Sequence, residues 1–280
     1  IQTRQPDEVI ICDDHSQDGT FDFINRYIQK HSLINWKVLR NDTNLGWINN
    51  FYKLFQLASS DIVFCADQDD VWSINKIDLM TSIMENDNSV IVLGGEVIKF
   101  TAPNNPIKTI NIKEKGYDKY NTRKILFNEN FYITHRPGCA TCFRKSLLPY
   151  VNEMKFSEYP HDQLIWNLGI LFDGAYIVDE VVIYQRRHSE SAMVIKKKQN
   201  RRLEEILINK KIIHQYMDFI SKQYNVDPRK LSIATECYKF FELRSIFLKS
   251  GNKRIAFQLL KYLKFYPRMR SYLSDVLHVN

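Results

Sequence analysis

The sequence predicts an α/β fold, a mostly parallel sheet with helices on both faces, followed by a basic helical region. Three observations carry this reading. Short apolar runs alternate with segments of helical periodicity through the first hundred residues. Two of those runs end in clustered carboxylates, Asp13-Asp14 and Asp67-Gln68-Asp69-Asp70. The charge balance also changes sign along the chain. Residues 1–194 hold 20 Lys/Arg and 25 Asp/Glu, whereas residues 195–280 hold 19 and 7.

Each element follows from local chemistry. Residues 7–14 read as a short buried strand. Thr20 can cap a helix whose apolar positions Phe21, Ile24, Tyr27 and Ile28 recur at helical spacing up to about His31. A second strand spans 36–40, and the Asn-rich residues 41–46 form a turn. Ile48, Phe51 and Phe55 mark another helix, 61–66 a third strand, and Ile74, Ile77 and Met84 a third helix before a strand at 90–94. Such a sheet places ligands beyond the carboxyl ends of its strands, so both acidic clusters are expected at one edge. Residues 101–123, with Pro103, Pro106 and Gly116, read as a long loop or lid. A strand candidate at 138–143, a helix at 161–172 and a strand at 175–184 follow. Helices are expected from about 195, at 228–249, at 253–265 and near 269–278. Their Phe and Tyr stripe fits an interhelical core or a face lying on an anionic membrane.

Composition narrows the class. A hydrophobic share of 44% with 25% charged residues supports a packed core and excludes a disordered chain. No run reaches the roughly 18 uncharged apolar residues of a membrane span. Residues 1–6 do not form a signal peptide, and the chain opens without Met, as expected of a fragment or trimmed product. Cys12, Cys65, Cys139, Cys142 and Cys237 are scattered and odd in number, which fits a reducing cytoplasm. Cys139 and Cys142 form a lone CxxC without the second pair that zinc usually needs, so a structural role is expected.

The carboxylates carry the chemistry. Asp67 and Asp69, a DxD closing an apolar strand, can hold a divalent ion such as Mg²⁺ or Mn²⁺ while leaving positions for phosphate oxygens. Asp-rich turns are also common without metal. Asp13 and Asp14 can accept hydrogen bonds from a nucleobase or ribose, or simply form an acidic helix-entry turn. Asp162, behind His161, is either an N-cap or a base for an acceptor hydroxyl. His188 sits among basic residues at a strand end, where solvation alone can explain it.

Together these segments resemble the family-two inverting glycosyltransferases of the GT-A fold over residues 1–194. The resemblance rests on residues 9–20, Asn44-Leu-Gly46, Ala66-Asp-Gln-Asp-Asp-Val-Trp72, residues 138–144, His161-Asp162 and Arg186-Arg-His188. The Ala66-Asp-Gln-Asp-Asp-Val-Trp72 form, with His161-Asp162 and Arg186-Arg-His188, is most similar to a rhamnosyltransferase-type branch. The resemblance implies nucleotide contact at Asp14 with Asp13 beside it, and metal ligation at Asp67 and Asp69, with Asp69 the direct ligand. It further implies Asp162 as catalytic base, His188 near the metal or diphosphate, and Arg186 and Arg187 against phosphate charge. The family's opening strand and Thr/Ser-Tyr-Asn turn have no counterpart, so the glycosyltransferase domain is expected to be N-terminally incomplete.

The implied activity is metal-dependent transfer of a sugar, rhamnose by analogy, from a nucleoside-diphosphate donor to a glycan or lipid-linked acceptor in cell-surface polysaccharide synthesis. The basic region at 195–280 suggests peripheral attachment to the inner, anionic membrane face. The competing reading is a non-catalytic protein that binds nucleic acid or membrane through that region. Strand-end carboxylates repel nucleic-acid phosphate unless a metal intervenes, so no nucleic acid is expected. A dinucleotide enzyme is disfavoured because no G-x-G-x-x-G follows a predicted strand.

Overall fold

The structure, a computed structural model, describes residues 2–101, 120–187, 201–223 and 226–278. Strand β1 (Val9–Asp13) pairs in parallel with β2 (Trp36–Arg40), joined by helix α1 (Thr20–Lys30). Thr20 is the first residue of α1 rather than its cap: Gly19 takes the cap position, and the Thr20 hydroxyl donates to Asp18 instead of serving the helix. Helix α2 (Trp47–Leu57) leads to β3 (Ile62–Phe64). The two-residue β4 (Val71–Trp72), α3 (Lys76–Asn86), β5 (Val92–Thr101) and β6 (Thr122–Lys124) follow. A 3₁₀ turn over Gly138–Ala140 enters β7 (Thr141–Arg144), then come α4 (Leu148–Met154), α5 (His161–Leu171) and the long β8 (Ala175–Arg187).

The main sheet has the order β3-β7-β5-β8-β4, with β6 also on β8. It is mixed rather than mostly parallel. Only β5 and β8 pair in parallel within it; β3 and β5 each run antiparallel to β7, and β4 and β6 run antiparallel to β8. The physical reason is an insertion. β3, α3 and β5 form the strand–helix–strand unit that the periodicity predicts, but β7, from far downstream, fills the slot between its two strands.

Side chains alternate across this sheet as a two-residue period requires. Val92, Phe143 and Ile177 enter a core beneath α5, while Leu93, Cys142 and Val178 face α3. The predicted strand at 138–143 is shorter because the Gly138–Ala140 segment turns before pairing begins. The seven-residue α4 and the short β4 and β6 escaped sequence reading, being too brief to establish a period.

The C-terminal helices α6 (Arg201–Lys222), α7 (Pro228–Ser250), α8 (Lys253–Leu259) and α9 (Met269–His278) extend the α5-side core rather than forming a separate one. Asp227 caps α7 by accepting from the Arg229 amide, and Gly251 ends it in the left-handed conformation. Phe240, Phe241, Phe247, Phe265 and Tyr266 are buried, so most of the aromatic stripe is core; Phe257 is exposed. Much of the predicted lid, 102–119, and the start of the basic stretch, 195–200, lie outside the described residues.

Candidate functional site

Residues gather at the carboxyl end of β1. Asp13 is buried, accepts from the Ser16 amide at 3.1 Å and pairs with Arg40 at 3.4 Å. Asp14 accepts from Asn41 Nδ2 at 2.7 Å and from the amides of Leu45 and Gly46, both at 2.8 Å. Gly46 has φ 76°, a conformation that favours glycine, which explains why the Asn44-Leu-Gly46 turn ends as it does before α2. Arg40 and Asn41, held by these two carboxylates, line an open cleft of about 350 Å³ with His15, Gln17 and Asp42.

Helix α2 connects this region to Asp162. Trp47, next to the Gly46 amide bound by Asp14, lies 5.6 Å edge-on from the His161 ring, which stacks on Phe51 at 4.0 Å. His161 is buried, and neither ring nitrogen has a hydrogen-bond partner. Burial drives its pKa down to about 3, so the ring is neutral and acts as an aromatic wall. Asp162 stands in the first turn of α5. Its carboxylate accepts from the Gln163 amide at 2.8 Å and from the Gly138 backbone, yet burial raises its pKa overall. Gly138 is required by space, because a Cβ there would sit 2.7 Å from His161 Nε2.

The turn after β3 supplies the acidic group. One ligand atom each from Asp67, Asp70 and Cys139 lie within 4.8 Å of one another. Burial, then Asp70 and Asp69, and more weakly Asp162, push the Asp67 pKa up to about 6, and the Cys139 thiol hydrogen-bonds it in opposition. Asp162 is thus close enough to Asp67 for their charges to interact. Asp70 accepts from the Arg186 amide at 2.9 Å through Oδ1, while its Oδ2 is buried without a partner. Beneath the turn, Lys76 is fully buried, lies 3.6 Å from the Trp72 ring centre and donates to the Cys139 carbonyl. Burial lowers its pKa to about 8. Lys76 therefore ties α3 to the segment that carries Gly138 and Cys139.

Asp67 and Asp162 are thus brought together, with Asp14 joined to them through α2. Asp69, expected as the direct metal ligand, lies in the turn but outside the Asp67–Asp70–Cys139 group. Arg186 is exposed, with its guanidinium 5.6 Å from the Phe100 ring centre; Arg187 is half-buried at the end of β8; His188 lies outside the described residues. Sequence reasoning missed Asp70, although it adjoins the DxD, and Cys139 and Lys76. Nothing in local spacing reveals that Cys139 returns beside a turn seventy residues upstream. All five cysteines are buried with free thiols.

The description "Glycosyl transferase family 2" matches residues 2–150, more than half of the chain. The chain belongs to this family. Comparison with curated proteins returns no match. Among solved structures, S. aureus TarS residues 1–349 in complex with UDP is similar at TM-score 0.55 and 14% identity. That match covers 99% of this chain and 81% of TarS 1–349. The mannosyltransferase PcManGT from Pyrobaculum calidifontis, in complex with GDP-Man and Mn²⁺, is similar at TM-score 0.50 and 14% identity, covering 99% and 77%. At these identities the likeness shows the fold, that of a GT-A glycosyltransferase with a helical C-terminal region. This family-two glycosyltransferase therefore presents its strand-end carboxylates within an enzyme fold, and the nucleic-acid reading is not favoured.

Proposed function

We propose that this glycosyltransferase inverts the anomeric carbon as it moves a sugar from a nucleoside diphosphate to a hydroxyl of a glycan or lipid-linked acceptor. The carrying observation is a desolvated carboxylate, Asp162, near enough to Asp67 of the crowded acidic turn for its charge to act there. The cleft of His15, Gln17, Arg40, Asn41 and Asp42 suits the nucleobase and ribose, with Asp13 and Asp14 orienting two of its walls. Arg186 and Arg187 meet the diphosphate charge.

The acidic turn fits a divalent cation. Asp70 Oδ2 is buried without a hydrogen-bond partner, and Asp67 is held against neighbouring carboxylates that raise its pKa. Carboxylate oxygens suit Mg²⁺ or Mn²⁺. Asp67 and Asp70 are the first candidates to hold the ion, with Asp69 and His188 as further ones. When bound, such an ion supplies positive charge against the leaving diphosphate.

The acceptor hydroxyl gives its proton to an Asp162 carboxylate oxygen as its own oxygen attacks the anomeric carbon. The sugar–phosphate C–O bond breaks on the opposite side, and its electron pair leaves with the diphosphate. A raised carboxyl pKa makes Asp162 a better base than an exposed aspartate. The Gly138 and Gln163 backbone amides hold that carboxylate in place. One displacement with one base inverts the carbon, the geometric logic that also separates inverting from retaining glycosidases. dTDP-rhamnose is the first donor to test, and the product belongs to cell-surface polysaccharide made at the cytoplasmic side.

Asp162→Asn tests the reading. Turnover should fall about 10²–10⁴-fold, the usual contribution of general-base catalysis. Calorimetric affinity for dTDP- or UDP-sugar with Mn²⁺ should hold within about threefold, as uniform binding is left intact. Equal losses in turnover and affinity would remove Asp162 from the role of base.

A further inference from the structure

Helix α9 is amphipathic in the inverted sense. Its inward side carries Asp275, which is fully buried and bound by Arg202 at 2.9 Å, Arg244 at 2.7 Å and the Tyr266 hydroxyl at 2.9 Å. Its outward side carries Met269, Leu273, Val276 and Leu277, which are 59%, 51%, 40% and 72% exposed. Positions i, i+4, i+7 and i+8 form one stripe along a helix. A surface helix of a soluble domain ordinarily turns that stripe to the core; here an ion-pair cluster docks the polar side instead. Tyr272 donates to the Ala256 carbonyl at 3.2 Å, which sets α9 beside α8, where Phe257 is 73% exposed and Leu260, just past its end, 40%.

Within residues 251–280 the exposed charges have one sign. Residues 251–280 hold six Lys/Arg and a single acidic residue, the buried Asp275. Lys253, Arg254, Lys261, Arg268 and Arg270 are exposed, and Lys264 pairs with Glu129 at 3.1 Å. We infer that α8 and α9 form a docking surface for an anionic lipid bilayer, with the Met269–Leu273–Leu277 stripe entering the headgroup–acyl boundary and the flanking basic residues meeting lipid phosphates.

Charge complementarity selects this occupant. A second copy would bring two positive surfaces together, and a nucleic acid would leave the apolar stripe against water. Ten residues at 1.5 Å each make a helix of about 15 Å, which lies in the interface rather than crossing it. Among the described residues no helix is long and apolar enough to cross a membrane. The inference goes beyond the transfer reaction and stands on this surface alone.

Flotation of the full chain with vesicles of 30 mol% phosphatidylglycerol in phosphatidylcholine, against pure phosphatidylcholine, tests it. The wild type should float with the anionic vesicles, poorly with neutral ones, and less at 0.5 M salt. Each basic residue near such a surface contributes about fivefold in partition, so Arg268→Gln/Arg270→Gln should lower partition roughly 25-fold. Leu273→Ser/Leu277→Ser should lower it at least tenfold, by removal of buried apolar area. Both variants change exposed residues, so thermal melting and calorimetric donor binding should match the wild type and separate this result from any failure of the catalytic reading. Wild-type binding to neutral and anionic vesicles alike, no flotation, or undiminished binding by both variants would overturn the inference. So would a concentration-dependent dimer in sedimentation that Leu273→Ser/Leu277→Ser abolishes, since the face would then be covered by a second copy.

Discussion

Replacing Asp67 by Asn should stabilise the metal-free protein while removing its use of a cation. The Asp67 carboxyl shifts from 3.8 to about 6 on folding, chiefly through burial and the charges of Asp70 and Asp69. Between those values the folded protein holds a proton that the unfolded chain has released. Stability therefore falls as pH rises through that window. About two units at 1.36 kcal/mol each place the full cost near 3 kcal/mol by pH 7. Partial solvent access makes about 2 kcal/mol the better expectation. Asn keeps the shape and can still accept from the Cys139 thiol, but carries no charge. The difference between Asn variant and wild type should be near zero below pH 4 and about 2 kcal/mol at pH 7.5, roughly 5 °C in Tm for a chain of this size. Urea unfolding in chelator at several pH values measures it. Saturating Mn²⁺ should then stabilise the wild type by mass action, about 2.7 kcal/mol at a hundred times Kd, and the variant much less. An Asn variant no more stable than wild type at pH 7.5 in chelator, or a difference that does not grow with pH, would refute the crowded-carboxylate account.

Two further predictions concern the supports of the site and of the C-terminal surface. Gly138→Ala drives a methyl to 2.7 Å from His161 Nε2, and the Phe51 stack leaves that ring little room to retreat. Overpacking should cost about 1–3 kcal/mol in urea unfolding and lower kcat at least tenfold, with donor affinity changed far less; unchanged kcat would show that this contact does not hold Asp162. Asp275→Asn leaves Arg202 and Arg244 without their shared carboxylate, at a cost of about 3 kcal/mol, the low end for a broken buried pair because Arg202 is a third exposed. Hydrogen exchange in residues 266–278 should quicken, and exchange at the wild-type rate would mean that the ion pairs do not anchor α9.

Sequence periodicity resolved the elements whose partners are near in the chain. β1, α1, β2 and α2 emerged close to their read bounds, because each carries a local apolar pattern, although α1 and β2 bury none of their residues fully. Strand order did not, because β7 enters between β3 and β5 from residues 141–144, and no local pattern records a hydrogen-bonding partner eighty residues away. The same limit governs the site. Asp67 and Asp162 were legible as strand-end and helix-start carboxylates, since position in an α/β fold is itself a chemical signal. Asp70 differs from Asp69 only in which way the turn points it. That direction is set by the Arg186 amide on β8, a contact made only after the sheet closes. The acidic turn is thus assembled from three distant segments. This assembly explains why a local DxD reading favours Asp69 while the folded chain gathers Asp67 with Asp70. It also makes the pair separable by experiment. If Asp70 completes the cation site, its alanine variant should lose Mn²⁺-dependent donor binding in calorimetry while Asp69→Ala retains a measurable share. The reverse ranking would restore the DxD as the working unit and leave Asp70 as a brace for β8.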